Sequence, residues 1–230
     1  MISFIIPTLD EERIIADQIT AVLAHVAGDV EIIIVDDSPG LATADAVAAL
    51  NEPRVRVVRR GAPRGLASAI LRGIMESRGE IVGWMDADAW MLPERLPAMI
   101  KALETADIAI ASRYAEGGGD VRVATRVMAS RLINGFAQLM LGDHVRDYTS
   151  CFAVVRRSVF DVILPDPHGF GEFFVEFVHR ARKAGLTIAE VPYILRDRTA
   201  GESKCSNHWR QFLRLGINYG VRILVTAVRG

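Results

Sequence analysis

The chain reads as a doubly wound α/β protein, a mostly parallel sheet with helices on both faces. Short β-branched runs recur at Ile2–Pro7, Glu31–Asp36, Val55–Arg59, Ile81–Asp86 and Asp107–Ser112. They start about 24 to 29 residues apart, the length of one strand plus one crossover helix. Runs such as Ile32-Ile33-Ile34-Val35 are apolar without alternation, which suits strands covered on both faces. Half of the 230 residues are apolar and 24% are charged, a globular balance that excludes a disordered or fibrous chain.

Between the runs, apolar residues fall at helical spacing, as at Ile15, Ile19, Val22, Leu23 and Val26. After Ser112 the regular alternation stops. Glu116-Gly117-Gly118-Gly119-Asp120 reads as a flexible loop and Val121 to Leu141 as a long helix. A strand near Phe152–Arg156, a helix from about Gly171 to Ala184 and a strand at Thr187–Val191 follow. The tail, Asn207–Val228, reads as a last helix interrupted by Gly216 and Gly220. With no internal repeat, low-complexity tract or linker, a single domain over 1–230 is expected.

The net charge of −1 supplies no basic field, so no nucleic-acid partner is expected. Cys151 and Cys205 are far apart and in no metal-ligand spacing, which argues against a disulfide framework or zinc site and for a reducing compartment. Met1-Ile2-Ser3 leads into an apolar strand with no signal-peptide pattern, and no 18 uninterrupted apolar residues occur. A cytoplasmic location follows as the expectation, with any membrane contact made peripherally.

Ligands of open parallel sheets collect at the carboxyl ends of the strands. Three of these ends are acidic here: Asp10-Glu11-Glu12, Asp36-Asp37 and Asp86-Ala87-Asp88. Acidic residues after a strand often only cap the next helix. Three such clusters on one edge, in a chain of near-zero net charge, call for a further reason. Neither G-x-G-x-x-G after a strand nor G-x-x-x-x-G-K-[ST] occurs, which argues against dinucleotide oxidoreductases and P-loop NTPases. An acidic edge reaches a phosphate through a hard divalent cation, Mg²⁺ or Mn²⁺, that bridges carboxylates to a diphosphate.

These residues also carry a resemblance. Ile6-Pro7-Thr8-Leu9-Asp10-Glu11-Glu12, Val35-Asp36-Asp37-Ser38, Gly65-Leu66-Ala67-Ser68-Ala69 and Asp86-Ala87-Asp88 resemble the successive signatures of family 2 glycosyltransferases with the GT-A fold. Ser112-Arg113-Tyr114, Asp147-Tyr148-Thr149-Ser150-Cys151-Phe152, Glu190-Val191-Pro192 and Asp197-Arg198-Thr199-Ala200-Gly201-Glu202-Ser203-Lys204 are similar to the dolichol-phosphate, or polyprenyl-phosphate, mannosyltransferase branch. The match runs in order from Ile2 to about Lys204.

The resemblance implies a nucleotide-sugar-binding half over 1–112, an acceptor and lid half over 113–206, and an amphipathic tail over 207–230. Pro7, Asp10 and Glu12 would border the nucleotide, with Asp36 on base or ribose. Asp86 and Asp88 would be the metal pair, Asp88 on the ion and Asp86 near ribose or sugar. Arg196, Arg198 and Lys204 would close over the donor diphosphate, and Asp147 would sit near the sugar. Asp88, Asp147, Arg198 and Lys204 form the expected catalytic set. A Gln that often follows the second Asp as a metal ligand is Trp90 here, and Asp36-Asp37-Ser38-Pro39-Gly40 is shorter than the family's usual continuation.

The expected reaction is inverting, metal-dependent hexosyl transfer from GDP-mannose or a UDP-sugar to a polyprenyl phosphate. A phosphate monoester is largely dianionic at neutral pH and needs no general base. No histidine among His25, His144, His168, His179 and His208 is placed as a base; Asp147 and Glu172 are the fallback bases for a hydroxyl acceptor. Arg113, Arg126 and Arg131 are candidates to hold the acceptor phosphate. In the tail, Arg210, Arg214 and Arg222 fall on one i+4 row with Asn218 between them, while Trp209, Phe212, Leu213, Ile217, Ile223 and Leu224 are apolar. That pattern suits a helix lying on an anionic membrane or one docked on the core or a second subunit. A UDP-sugar transferase with a hydroxyl acceptor, and a silent nucleotide-sugar-binding subunit, are the open alternatives.

Overall fold

A computed structural model describes residues 1–62, 64–88, 92–142, 145–196 and 209–229, with backbone alone at 209–212. Among the described residues nine strands run in chain order: β1 (Ile2–Thr8), β2 (Val30–Asp36), β3 (Val55–Arg59), β4 (Ile81–Trp84), β5 (Ile108–Ser112), β6 (Gly119–Asp120), β7 (Ala153–Arg156), β8 (Ile188–Pro192) and β9 (Ile194–Leu195). Seven α-helices accompany them in the same residues: α1 (Ile15–His25), α2 (Ala42–Ala48), α3 (Leu66–Glu76), α4 (Leu96–Ala102), α5 (Ala124–Leu141), α6 (Phe173–Lys183) and α7 (Trp209–Arg229).

The main sheet has the order β3-β2-β1-β4-β7-β5-β8. β3, β2, β1 and β4 are parallel, with Ile5 level with Ile33 and Trp84. β7 enters antiparallel between β4 and β5, and Val154 faces Gly83 on one side and Ala109 on the other. β8 completes the sheet parallel to β5. The five early runs therefore all become strands, but the fifth joins the fourth only through β7.

Side chains alternate across the sheet, and helices cover both faces. On one face Phe4, Ile6, Ile32 and Ile34 pack with Ile15, Ile19 and Val22 of α1 and Leu96 and Met99 of α4. On the other, Ile5, Ile33 and Trp84 pack with Ile70 and Ile74 of α3, the α6 phenylalanines, and Tyr219 and Ile223 of α7. Trp84 meets Phe174 and Phe177 edge-on at 6.4 and 5.6 Å, a favoured aromatic geometry.

Three expectations need correction. The Gly117–Asp120 stretch is not a loose loop: its end forms β6, paired with β9. Gly118 is there for contact, since a Cβ on it would lie 2.7 Å from the Ser112 carbonyl. α5 starts at Ala124, not Val121, because the Val121 N–H donates to the Leu195 carbonyl at 2.9 Å. α7 runs unbroken through Gly216 and Gly220, its packing on α5 and α6 outweighing the roughly 1 kcal/mol that each glycine costs in a helix.

Gly83 lies against the buried Phe4 ring, and a Cβ there would stand 2.5 Å from Phe4 Cε1. Gly83→Ala should lower the unfolding free energy by about 1–3 kcal/mol through overpacking. The helical, unobstructed Gly135→Ala should raise it by about 0.4–1 kcal/mol. Urea melts of the two variants beside the parent check both signs.

Candidate active site

Topology gathers the site. The segments after β1, β2, β3, β4, β5 and β8 all leave the sheet at its carboxyl edge. Because β7 is antiparallel, its entry segment, Asp147 to Phe152, arrives at that edge too. So does the start of α6, which runs back down the sheet toward β8.

On the donor side the loops after β1 and β2 are stitched together. Asp36 is fully buried; its Oδ1 accepts from Thr8 Oγ1 at 3.0 Å and from Ser38 Oγ at 2.5 Å. Ser38 Oγ in turn accepts the Asp10 N–H at 2.8 Å. Asp10 is held at φ 52°, a region costly for a residue with a Cβ, and its side chain is exposed. Glu12 is exposed beside it and Pro7 is buried in β1. Asp36 Oδ2 is buried with no hydrogen-bond partner among the described residues, with Arg59 Nε 3.5 Å away. The structure thus places Asp36 beneath the surface, as the support of Thr8 and Ser38.

Asp37, noted in the sequence only as part of the Asp36-Asp37 cluster, is paired with Arg60, which sequence reading passed over. Arg60 forks onto Asp37 at 2.5 and 2.7 Å and reaches Ser68 Oγ at 2.9 Å, while the Arg64 N–H donates to Asp37 at 2.8 Å. This bidentate pair fastens the end of β2 to the turn that starts α3. At the end of β4, Asp86 is exposed and Asp88 half-buried, on either side of the buried Ala87.

On the acceptor side Arg113 and Asp147 form a pair, 5% and 0% exposed. Arg113 donates Nε and Nη2 to the two Asp147 oxygens at 2.8 and 2.6 Å, its backbone N–H adds a bond at 2.9 Å, and Nη2 also reaches Thr149 Oγ1. Burial by itself would lower the Arg113 pKa; the Asp147 charge and bonds raise it instead. Arg113, expected on an acceptor phosphate, is committed to this internal pair. Ser130 and Asn134 of α5 reach Thr149 Oγ1 at 3.2 and 3.0 Å. Arg126 shares their row on the helix. Arg131 lies off that row and is exposed.

Glu190 of β8 accepts the backbone N–H groups of Arg146 and Asp147 at 3.0 and 3.2 Å. Burial pushes its carboxyl above the ordinary value of 4.5, with the Asp147 charge adding to the rise. Glu172, a fallback base, is buried at the start of α6 and accepts the Phe170 N–H at 3.0 Å. Arg196 is exposed just after β9. Trp90, Arg198 and Lys204 lie outside the described residues. Arg60, Glu190 and the α7 residue Tyr219 are the edge residues that motif reading missed; only Glu190 stood within a noted motif.

The sequence pattern of glycosyl transferase family 2 matches residues 3–164. The chain belongs to glycosyl transferase family 2. Among curated members of similar sequence, the polyprenol monophosphomannose synthase of Mycolicibacterium smegmatis is 31% identical over 98% of this chain and 89% of its own. The dolichol-phosphate mannosyltransferase of Pyrococcus furiosus is 32% identical over 88% of this chain, which spans 58% of that relative's length. The undecaprenyl-phosphate mannosyltransferase of Micrococcus luteus is 32% identical over 76% of each chain. The fold is shared with glucosyl-3-phosphoglycerate synthase from Mycobacterium tuberculosis, solved with Mn²⁺, uridine diphosphate and glucosyl-3-phosphoglycerate. Its TM-score is 0.73 at 20% identity, over 99% of this chain and 80% of that one. A structure of the same synthase with Mg²⁺ and uridine diphosphate has a TM-score of 0.71 at 18% identity, over 99% and 79%.

Among the described residues no group of three or more His, Cys, Asp or Glu side chains gathers as an ion site. The donor set at β4 nevertheless fits the metal that this fold carries in those complexes. Asp86 and Asp88 offer two hard carboxylates on one turn, and Mg²⁺ or Mn²⁺ commonly takes one or two from a protein and the rest from phosphate and water.

Two tests follow. Asp147→Asn leaves the Arg113 guanidinium buried without its counter-charge and should cost about 3–5 kcal/mol in a urea melt. Replacing both members, Arg113→Met with Asp147→Leu, should recover most of that loss. For Glu190 the folded pKa lies above its unfolded 4.5, so the stability it contributes is complete below pH 4.5 and lost as pH rises through the folded value. Glu190→Gln stays neutral throughout. Its deficit against the parent, read from paired urea midpoints, should therefore shrink between pH 4 and pH 7.

Proposed function

We propose that this enzyme transfers a hexose, mannose before others, from a nucleoside diphosphate sugar to a polyprenyl phosphate, with inversion at the anomeric carbon. The observation that carries the reading is the commitment of Asp147: both of its oxygens are engaged by Arg113, so it is not available to take a proton from a hydroxyl. Glu172 is buried behind the Gly169–Gly171 turn. An acceptor that arrives already ionised needs neither. The named activities of the curated relatives agree.

In this reading Asp10 and Glu12 meet the ribose of the donor, and Asp36 Oδ2, which has Arg59 beside it but accepts no hydrogen bond among the described residues, takes an N–H of the base from below. Asp86 and Asp88 would hold Mg²⁺ or Mn²⁺, and the ion would supply positive charge toward the leaving diphosphate. Arg196, with Arg198 and Lys204, covers the diphosphate. Arg126, on the Ser130–Asn134 row, holds the acceptor phosphate with Arg131 outside it, and Arg113 sets Asp147 and Thr149 beneath. An oxygen of the acceptor phosphate forms a bond to the anomeric carbon as the bond to the diphosphate breaks. The nucleoside diphosphate leaves with that electron pair, and no proton has to move. The protein's part is alignment and charge neutralisation.

A membrane surface suits the acceptor. No described helix is long and apolar enough to cross a bilayer. α7 buries Tyr219 and Ile223 against the body yet exposes Leu213, Ile217, Val221, Leu224 and Val228. α5, packed beside it, exposes Met128, Leu132 and Leu139. Arg222 of the expected basic row is instead bound to Glu176 at 2.6 Å. The tail is thus docked on the core and also presents an apolar stripe, which we assign to the headgroup region on the cytoplasmic face.

The test is transfer from radiolabelled GDP- and UDP-sugars, with Mg²⁺ or Mn²⁺, to a short polyprenyl phosphate in detergent. The expected outcome is label in the organic extract, strongest from GDP-mannose, and lost with chelator or in Asp88→Ala. Metal-dependent transfer to a soluble hydroxyl acceptor alone would overturn the phosphate acceptor, and binding of donor without turnover would leave a silent subunit.

A further inference from the structure

Tyr219 comes from α7, 133 residues of helix, strand and turn away in sequence from Asp86, yet it ends among the groups of the carboxyl edge. It is 7% exposed, and the ionisable groups that act on it are Cys151 before β7, Glu172 before α6, Arg113 after β5 and Asp86 after β4. Burial holds its phenol well above the ordinary value of 10, so it is a neutral hydroxyl in a charged neighbourhood.

What the hydroxyl touches is the turn ahead of α6. A Cβ on Gly171 would stand 2.4 Å from Tyr219 Oη, and the next atom of the ring, Cζ, would be 3.5 Å away. The turn is tight on its own account: Gly169 has φ 103°, and a Cβ there would be 2.7 Å from Glu172 Oε1. Its outer side borders the donor loops, with the Gly169 carbonyl 3.7 Å from where a Gly65 Cβ would project. Gly65 is the residue whose carbonyl Arg60 also reaches, at 3.2 Å. One helical turn along α7, Arg222 grips the two ends of the same segment, through Asp166 at 3.4 Å, the His168 carbonyl at 3.0 Å and Glu176 at 2.6 Å.

We propose that Tyr219 is a positioning residue of the active site: its hydroxyl, delivered by α7, sets the Gly169–Glu172 turn that walls the carboxyl edge beside the donor loops. A phenylalanine would fill the same space, and only the hydroxyl meets Gly171. The C-terminal helix is thereby part of the catalytic architecture as well as a cover for the core. The inference rests on the transferase reading above for its activity readout.

Tyr219→Phe should keep the thermal midpoint of the parent and lower kcat on the order of tenfold, with donor KM little changed. Gly171→Ala should lower kcat further in the Tyr219 background. In the Tyr219→Phe background the same substitution should add little, because the nearest atom is then the ring carbon at 3.5 Å. Unchanged kcat in Tyr219→Phe, or an equal effect of Gly171→Ala in both backgrounds, overturns the proposal while the transferase stands. If the parent transfers no sugar, the proposed reaction fails, and the same four proteins are compared for GDP and UDP binding by calorimetry. The expected result there is the same dependence of Gly171→Ala on the Tyr219 hydroxyl, and additive effects or no binding overturn the proposal.

Discussion

The Arg113–Asp147 pair is the constraint around which the second half of the molecule is built. Two charges so nearly buried persist only if every polar atom between them is engaged, because desolvation otherwise exceeds their attraction. Asp147 is therefore met by a fork from Arg113 and by its backbone N–H. Asp120 of β6 stands 3.5 Å from the same guanidinium, and Glu190 of β8 receives the N–H groups of the 146–147 segment. Asn134 of α5 accepts the Tyr148 N–H at 2.6 Å. Elements from five separate places in the chain are fixed by one ion pair, and the network admits little slack.

The donor half solves a related problem differently. The three acidic clusters that mark the edge in the sequence do not act alike. Asp36 and Asp37 are buried struts, engaged by Thr8, Ser38 and Arg60. Asp10, Glu12 and Asp86 are exposed and face the solvent that a ligand would displace. The struts hold the loops in one arrangement before any ligand arrives, so ordering them is not charged to binding.

How much of this was legible follows from what each signal encodes. The parallel strands were readable because unbroken apolar runs at crossover spacing have few other uses. The direction of β7 was not, since Ala153-Val154-Val155 reads equally well in either sense and only its neighbours orient it. Asp10, Asp86 and Asp88 were found at the edge where residue type and strand position agree. Arg113 was a candidate for the acceptor because it follows the fifth strand where a phosphate-bearing acceptor is expected; its partner Asp147 lies 34 positions away, beyond what the local sequence shows. Tyr219 was hidden by the amphipathic pattern around it, which sorts residues by face and says nothing of which apolar face meets the site. The triple glycine was read as a flexible loop, whereas Gly118 meets the backbone of Ser112 and Arg113 and Gly117 takes a positive φ, distinctions that composition cannot make.

The antiparallel β7 also has a consequence for how the protein is made. Among the described residues it is the one strand that joins the β3-β2-β1-β4 ribbon to the β5-β8 pair. During synthesis, β4 and β5 leave the ribosome well before β7, and each must wait with an open edge until residue 156 has emerged. The first four strands can form a covered, half-finished sheet, whereas β5 has no strand to pair with. Open apolar edges invite pairing between nascent chains. The stretch of translation between β4 and β8 is thus aggregation-exposed: β7 closes the β4 edge and one edge of β5, and β8 closes the other.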